Sequence, residues 1–276
     1  MLESWPLVSV VTPSYNYGAF LGQCLESVRM QTYPNIEHVV VDACSIDESR
    51  SVIESFRGTY RLLVLLEEDS GQADALNKGF AMARGDVFCW LNADDYWLHE
   101  KVVEEAIQAL ARDVDAVTAG GRYVDQDAQT LSKIAVPHGN LESQLRYFDP
   151  FLQPATLWRS QVHLPLSVDL RYAFDWRLFL DMASRGARFR AVDAEWAAYR
   201  LHSTNKSLDD SARRRGEIAA ILRGQWGGWS PQYLWATSVF RGYQAAESLH
   251  SRGLKSGIGK VNDALGRLTR GRVFSS

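Results

Sequence analysis

The chain has 276 residues, 46% of them hydrophobic, and a net charge of −3, which suits one large α/β domain or one domain with an appendage. No apolar run is long enough to span a bilayer. The start, Met1-Leu2-Glu3-Ser4-Trp5-Pro6, carries neither the basic nor the apolar region of an export signal. Cys24, Cys44 and Cys89 lack metal-ligand spacing and fit a reducing compartment, so a cytoplasmic protein is expected.

The charge is unevenly spread. From Ser211 onward eleven basic residues face three acids, an excess of eight positive charges that leaves the rest of the chain at −11. An acidic body argues against a nucleic-acid-binding core and makes an anionic surface one destination for the tail.

In chain order, Leu7–Val11 is expected as a strand, with a turn-rich loop over Thr12–Gly18. A helix follows with Phe20, Leu21, Cys24, Leu25 and Val28 on one stripe. Ile36–Val41 reads as a second strand ending at Asp42. Val52, Ile53 and Phe56 mark a second helix, and Leu62–Leu66 a third strand running into Glu67-Glu68-Asp69-Ser70-Gly71-Gln72. Ala73–Arg84 forms a third helix with Leu76 and Phe80 facing inward and Gly85 as its stop. The five apolar residues Val87–Leu91 read as a strand buried on both faces. A helix bearing Val102, Val103, Ala106, Ile107 and Leu110 comes next. Four alternations predict parallel strands joined by right-handed crossovers.

Four strand ends then meet at one edge: Thr12, Asp42, the Glu68-Asp69 pair and Asp94. Ligands of open α/β sheets bind at that edge. The chain has neither the glycine fingerprint of a dinucleotide site nor a phosphate loop with its lysine, so a nucleotide must be held by side chains and a metal. Asp94 suits a hard divalent cation that in turn binds phosphates. Asp95 reads as the cap of the following helix. Asp42 either accepts from a base or ribose or caps a turn.

After Ala116–Gly120 the alternation breaks down. Arg122–Val136 looks like a hairpin around Asp125-Gln126-Asp127, and Phe151–Trp158 is apolar and extended up to a turn. A helix begins near Tyr172, on which Asp175, Leu178, Phe179 and Met182 share a face. A carboxylate on an apolar stripe is costly unless it is paired or lines a cavity, and a helix N-cap is the alternative. Asp181 falls off the stripe, toward solvent. Ala191–Tyr199 supplies one or two short strands, and Arg200–Ser207 a polar loop whose His202 matters if it folds back onto Asp94. Beyond Ser211 arginines mix with aromatics, including Trp226, Trp229, Tyr233 and Trp235. Such a segment packs as a helical bundle or lies at a membrane interface.

Together the motifs resemble the family 2 glycosyltransferases with the GT-A fold. They are Val10-Val11-Thr12-Pro13-Ser14-Tyr15-Asn16, Val41-Asp42-Ala43-Cys44-Ser45-Ile46-Asp47, Asp69-Ser70-Gly71-Gln72 through Gly79, Leu91-Asn92-Ala93-Asp94-Asp95, and Phe174-Asp175-Trp176-Arg177-Leu178-Phe179-Leu180. The resemblance covers about Pro6 to Ser207. It implies an α/β fold with a mostly parallel, Rossmann-like sheet and flanking helices, in a domain over 1–207. Residues of about 6–120 would bind the nucleotide sugar and about 121–207 the acceptor, with 208–276 a basic helical extension.

The same resemblance implies inverting transfer from a nucleotide diphosphate sugar, UDP-linked by preference with dTDP or GDP as alternatives, to a saccharide or lipid-linked acceptor. Bacterial cell-surface polysaccharide or glycolipid synthesis at the inner face of the membrane is the expected setting. Thr12, Pro13, Tyr15, Asn16, Asp42, Asp69, Gly71, Gln72, Asn77 and Lys78 would hold the donor with Asn92, Ala93 and Asp94. Asp94 and His202 would carry Mn2+ or Mg2+, Asp175 would be the base, and Gln153, Trp176 and Arg177 would meet the acceptor. Asn92 replaces the first acid of the family's DXD motif, and Ala43-Cys44 stands where glycine is frequent. A sugar-1-phosphate nucleotidyltransferase should instead show an arginine-rich glycine loop after its first strand, and Pro13–Gly18 has no basic residue. A non-catalytic nucleotide-sugar-binding scaffold is the alternative outside enzymes.

Overall fold

The computed structural model describes residues 5–202, 212–228, 230–231, 233–235, 237–238 and 241. The Ser203–Ser207 part of the expected loop, Trp229 and most of the 208–276 extension lie outside the described residues.

The first half alternates as the apolar runs require. It comprises β1 (Val8–Ser14), α1 (Gly18–Arg29), β2 (Ile36–Asp42), α2 (Ser49–Phe56), β3 (Leu62–Leu66), α3 (Gln72–Met82) and β4 (Val87–Trp90). Strands β3, β2, β1 and β4 lie side by side and parallel. Every residue of β1 and β4 is buried, because α1 and α2 cover one face of the sheet and α3 packs on the other. Burying each large apolar side chain is worth about 1.5–3 kcal/mol, so these two strands anchor the sheet. Helix α3 lies close enough that a Cβ at Gly79 would sit 2.3 Å from Val11 Cγ1. That helix stops at Met82, with Ala83 already extended, and Gly85 is not its terminator. A Cβ on Gly85 would meet Ser9 N at 2.7 Å and Leu7 O at 2.8 Å, so glycine is needed there for contact with the start of β1.

The second half is mixed, with parallel and antiparallel pairings, and non-local. After a short strand β5 (Tyr96–Trp97) and helix α4 (Val102–Ala109), the chain forms β6 (Ala116–Val124), β7 (Thr130–Ile134), α5 (Leu141–Leu145), a 3-10 turn over Gln153–Ala155, and β8 (Thr156–Arg159). Helix α6 (Phe174–Ser184), β9 (Phe189–Arg200) and α7 (Ala212–Trp226) complete the described elements. The β6–β7 hairpin forms where expected, but β6 begins back at Ala116. The Phe151–Trp158 run is half 3-10 turn rather than extended throughout. Ala191–Tyr199 lies inside a single 12-residue strand, β9.

The sheet order is β3-β2-β1-β4-β8-β6-β9-β5, with β7 on β6. So β4 has a parallel neighbour on one side and the antiparallel β8 on the other. Four strand spacings separate β4 from β5, about 19 Å in a flat sheet. The chain crosses that gap through Leu91–Asp95, part of which is a tight turn, with Asp95 N donating to Asn92 O at 3.0 Å. The sheet must therefore curl, and the curl brings the end of β9 back over the end of β4. Helix α7 buries Ile218, Ile221 and Leu222 in the main core, so this part of the basic segment packs on the domain.

Candidate active site

The turn after β4 holds two adjacent carboxylates with different surroundings. Asp95 is 2% exposed; its Oδ1 accepts from Arg200 N at 3.0 Å and its Oδ2 from Asn92 Nδ2 at 3.1 Å. Burial, reinforced by the charge of Asp94, pushes its pKa well above the usual carboxylate range. It is not a helix cap: α4 begins at Val102, behind Lys101.

Arg200, at the end of β9, is itself 2% exposed. Its Nε donates to Asp94 O at 2.8 Å, its Nη1 to Asp125 O and Gln126 O at 3.2 and 2.8 Å, and its Nη2 to Gln23 Oε1. The guanidinium lies against the rings of Phe20 and Tyr96, 4.9 and 5.4 Å from their centroids. One buried cation thus ties the acidic turn to the β6–β7 hairpin and to α1. The only hint in the sequence is an arginine closing the apolar run Trp196-Ala197-Ala198-Tyr199.

Two residues further on, His202 folds back onto Asp94. Its Nε2 lies 3.0 Å from Asp94 Oδ2, and the ring packs against Phe20 and Tyr17 at 4.9 and 5.7 Å. The Tyr17 phenol is pushed up to about 12 by burial and then by the charges of Asp94 and Asp95, so it stays neutral next to them. One oxygen and one nitrogen ligand 3.0 Å apart match the separation of neighbouring ligands in an octahedral shell with bonds of about 2.1 Å, which is about 3 Å. The pair therefore fits a divalent cation. Among the described residues no group of three or more His, Cys, Asp or Glu side chains is placed to hold a metal, so the remaining ligands would be substrate oxygens and water.

A cavity of about 550 Å³ opens along the same edge, within the size range of small-molecule sites. Tyr15 and Cys44 wall it at the ends of β1 and β2, the 68–71 loop and the first residues of α3 line it as well, and so do Arg171, Phe174 and Arg213. Two side-chain clasps shape the loop: Gly71 N donates to Asp69 Oδ1 at 2.8 Å and Ser70 N to Asp74 Oδ2 at 3.0 Å. Gln72 Nε2 donates to Asn92 Oδ1 at 2.8 Å, which joins the cavity lining to the acidic turn. Asn92 is thus a fixed strut, with Gln153 Oε1 also within reach of its Nδ2 at 3.3 Å.

Among the expected donor-contacting residues, Tyr15, Asp69, Gly71 and Gln72 line the cavity. Asp42 is 1% exposed and accepts from Ser45 N and Ser45 Oγ at 2.8 and 2.7 Å, the turn-capping pattern. Asn16, at φ 57°, accepts from Ile46 N at 2.9 Å, so it laces the β1 and β2 loops together. Cys44 adopts φ 59°, the left-handed backbone that favours glycine at that position.

Others are buried or have partners within the protein. Thr12 is fully buried with its hydroxyl 2.8 Å from His38 Nε2; burial pulls that imidazole down to about 3, so it is neutral. Pro13 and Ala93 are buried as well. Both polar atoms of Asn77 are spent on the Leu166 peptide, at 2.9 and 2.8 Å. Lys78 pairs with Glu67 and Asp74. Gln153 is buried and donates to Trp90 O at 2.7 Å. Trp176 is a core side chain, 3% exposed, with its indole N–H on Leu145 O at 2.7 Å. Arg177 is exposed and paired with Asp181.

Asp175 sits in the first turn of α6, partly buried, beside the cavity residue Phe174. The N-cap position is Ala173, so Asp175 is not the cap; its Oδ1 accepts from Trp176 N at 2.8 Å. Burial raises its pKa to about 6. Asp149 is raised too, by burial and by the charge of Asp175. Around Asp175, Arg214 pulls the other way while Glu217 adds to the rise. Neither Asp149 nor Glu217 stood out in the sequence, since each reaches Asp175 only through the fold.

A curled α/β sheet with an Asp–His pair and a cavity at the carboxyl edge of its parallel strands is the GT-A architecture of a glycosyltransferase. The chain belongs to glycosyl transferase family 2, whose model, described as "Glycosyl transferase family 2", matches residues 9–159. It is 33% identical over 135 residues to TuaG of Bacillus subtilis, named for teichuronic acid biosynthesis, a match covering 48% of this chain and 54% of that one. The matched stretch thus spans about half the length of that relative. WfaP of Escherichia coli, named as a UDP-Glc:alpha-D-GlcNAc-diphosphoundecaprenol beta-1,3-glucosyltransferase, is 25% identical over 74% of this chain and 80% of its own. Among solved structures, TarS 1-349 of S. aureus with UDP-GlcNAc superposes with a TM-score of 0.66 at 19% identity, covering 80% of this chain and 67% of that chain. The mannosyltransferase PcManGT of Pyrobaculum calidifontis, with GDP-Man and Mn2+, does so with a TM-score of 0.60 at 19% identity, over 97% and 85%.

Proposed function

We propose that this glycosyltransferase moves a sugar from a nucleoside diphosphate sugar, UDP-linked by preference, to an acceptor hydroxyl with inversion at the anomeric carbon. The observation that carries the reading is the Asp94–His202 pair at 3.0 Å, formed on the turn whose Asn92 accepts from the cavity residue Gln72. Tyr15, the 68–71 loop and the first residues of α3 would hold the nucleotide. Asp94 and His202 would hold a divalent cation, which when bound offsets the negative charge that develops on the departing diphosphate.

Asp175 then acts on the other substrate. Its carboxylate takes the proton of the acceptor hydroxyl as that oxygen bonds to the anomeric carbon and the bond from that carbon to the diphosphate oxygen breaks. A group with pKa about 6 is ionised at neutral pH yet more basic than an ordinary aspartate. A single displacement from the opposite face inverts the centre, and no covalent nucleophile is needed. A saccharide on a lipid carrier is the acceptor favoured by the likeness to WfaP, with the enzyme working at the inner face of the membrane. Among the described residues no helix is long and apolar enough to cross that membrane.

The test is a transfer and hydrolysis assay on a panel of nucleotide sugars with Mn2+ or Mg2+, with the product anomer read by NMR. Metal-dependent turnover of one donor with inverted product is expected. Retained configuration, or no turnover of any nucleotide sugar by folded protein with a lipid-linked acceptor present, contradicts the reading.

A further inference from the structure

Helix α7 lies beyond the stretch matched by the family model, yet one of its side chains reaches into the structure that carries Asp175. Glu217 is the lone acid in Ala212–Trp226, a helix with four arginines. Its side chain is only 9% exposed. Its Oε1 accepts from Arg171 N at 2.9 Å, and its Oε2 from Tyr172 N and Ala173 N at 2.8 and 3.2 Å. Those three amides are the last before the first turn of α6, and Asp175 is two residues further on. Arg213, one turn earlier on α7, lies 3.3 Å from the same carboxylate and lines the cavity.

We propose that Glu217 is a positioning residue for the transfer reaction: its carboxylate gathers the three amides that lead into α6 and so sets the place and the charge environment of Asp175. The inference rests on the reading of Asp175 as general base. Two physical consequences follow from the geometry. A carboxylate in the first turn of a helix is normally favoured in its ionised form by the helix dipole and by free amides. Glu217 occupies the amides just ahead of that turn and places a negative charge there, which opposes this effect. The charged groups that face Asp175 are Arg214, which lowers its pKa, Glu217, which raises it to a smaller extent, and Asp149, which is itself raised by burial and by the charge of Asp175. Besides burial, the Glu217 charge is one of the causes that raise the Asp175 pKa. The second consequence is geometric, because loss of the three-amide clasp frees the start of α6 to shift, and a displacement of about 1 Å at a reacting group costs on the order of 10²-fold in rate.

The test compares the full-length wild type with Glu217→Gln, Glu217→Asp and Asp175→Asn. The readouts are kcat against pH, donor KM, UDP affinity with Mn2+, and melting temperature. Glu217→Gln keeps an acceptor but loses the charge. It is expected to lower kcat on the order of 10- to 100-fold and to move the acid limb of the kcat profile to lower pH, with smaller changes in donor KM and UDP affinity. Glu217→Asp keeps the charge on a shorter arm, so kcat should fall while the acid limb stays in place; this variant serves if the Gln form does not fold. Wild-type kcat and an unmoved acid limb in a folded Gln variant, or wild-type kcat in the Asp variant, overturns the proposal. Should Asp175→Asn retain full turnover, the base reading itself fails; an inactive Asp175→Asn beside fully active Glu217 variants refutes only the role of Glu217.

Discussion

The two carboxylates at the heart of the site are held in opposite ways. Asp94 belongs to the parallel half, on a tight turn whose carbonyl is gripped by the buried Arg200 guanidinium and whose side chain meets His202. Asp175 belongs to the second half, where parallel and antiparallel pairings mix, in a partly buried position near Asp149, Arg214 and Glu217. On the proposed reading the carboxylate beside His202 holds the cation, and the one raised by burial takes the proton. The two halves of one fold would then divide binding from proton transfer by giving the same side-chain type different surroundings.

The largest effect expected from breaking this division is at Asp175. Asp175→Asn keeps the shape but cannot take the acceptor proton, so turnover should fall on the order of 10²–10⁴-fold, measured as sugar transfer at pH 7.5. Since the Asn carboxamide oxygen can still accept from Trp176 N, a purely structural role would leave the rate near wild type.

Arg200 tests the other half. Arg200→Met removes a buried cation and takes the guanidinium donor from the carbonyls of Asp94 and Gln126, while Asp125 O keeps Ala128 N. Destabilisation on the order of 3–5 kcal/mol is expected, read by urea unfolding. A loss below about 1 kcal/mol would mean that water or a neighbour satisfies those groups.

A smaller effect concerns stability at Asp175 with the sign reversed. Its folded pKa is raised, so between the ordinary carboxylate value and about 6 the folded protein binds more protons than the unfolded chain. Its contribution to stability is therefore present at low pH and lost as pH rises through about 6. At pH 7–8 the ionised group is a burden, and Asp175→Asn should stabilise the inactive protein by about 1–3 kcal/mol. A melting temperature unchanged or lowered at pH 8 contradicts this.

The smallest effect lies in the cavity wall, at Cys44. Cys44 holds φ 59° without glycine, so Cys44→Gly relieves local strain while adding freedom to the unfolded chain. A net stabilisation of no more than about 1 kcal/mol is expected in thermal melts, and a clear loss would show that the thiol packs usefully.

The same division explains what the sequence disclosed. In the parallel half each strand is a compact apolar run followed by its own helix, so β1 to β4 and the ligand edge could be read from local pattern. Asp94 and Asp95 are adjacent and chemically alike, and what separates them is Arg200, more than a hundred residues away. Thr12 and Asn77 sit in motif positions, but His38 and Leu166 claim their polar atoms. In the second half β6 pairs with β7, β8 and β9, and no local pattern encodes such pairings. Glu217 looked like one acid among arginines until the fold set it against three amides.

The central claim is the separation of binding from proton transfer, and one crossed measurement tests it most directly. Asp94→Ala and Asp175→Asn are each assayed for Mn2+-dependent UDP affinity by calorimetry and for sugar transfer. The account predicts that Asp94→Ala loses the metal-dependent part of the affinity along with transfer, whereas Asp175→Asn keeps wild-type affinity and loses only transfer. Unchanged metal-dependent affinity in folded Asp94→Ala, or affinity lost in Asp175→Asn, would contradict it.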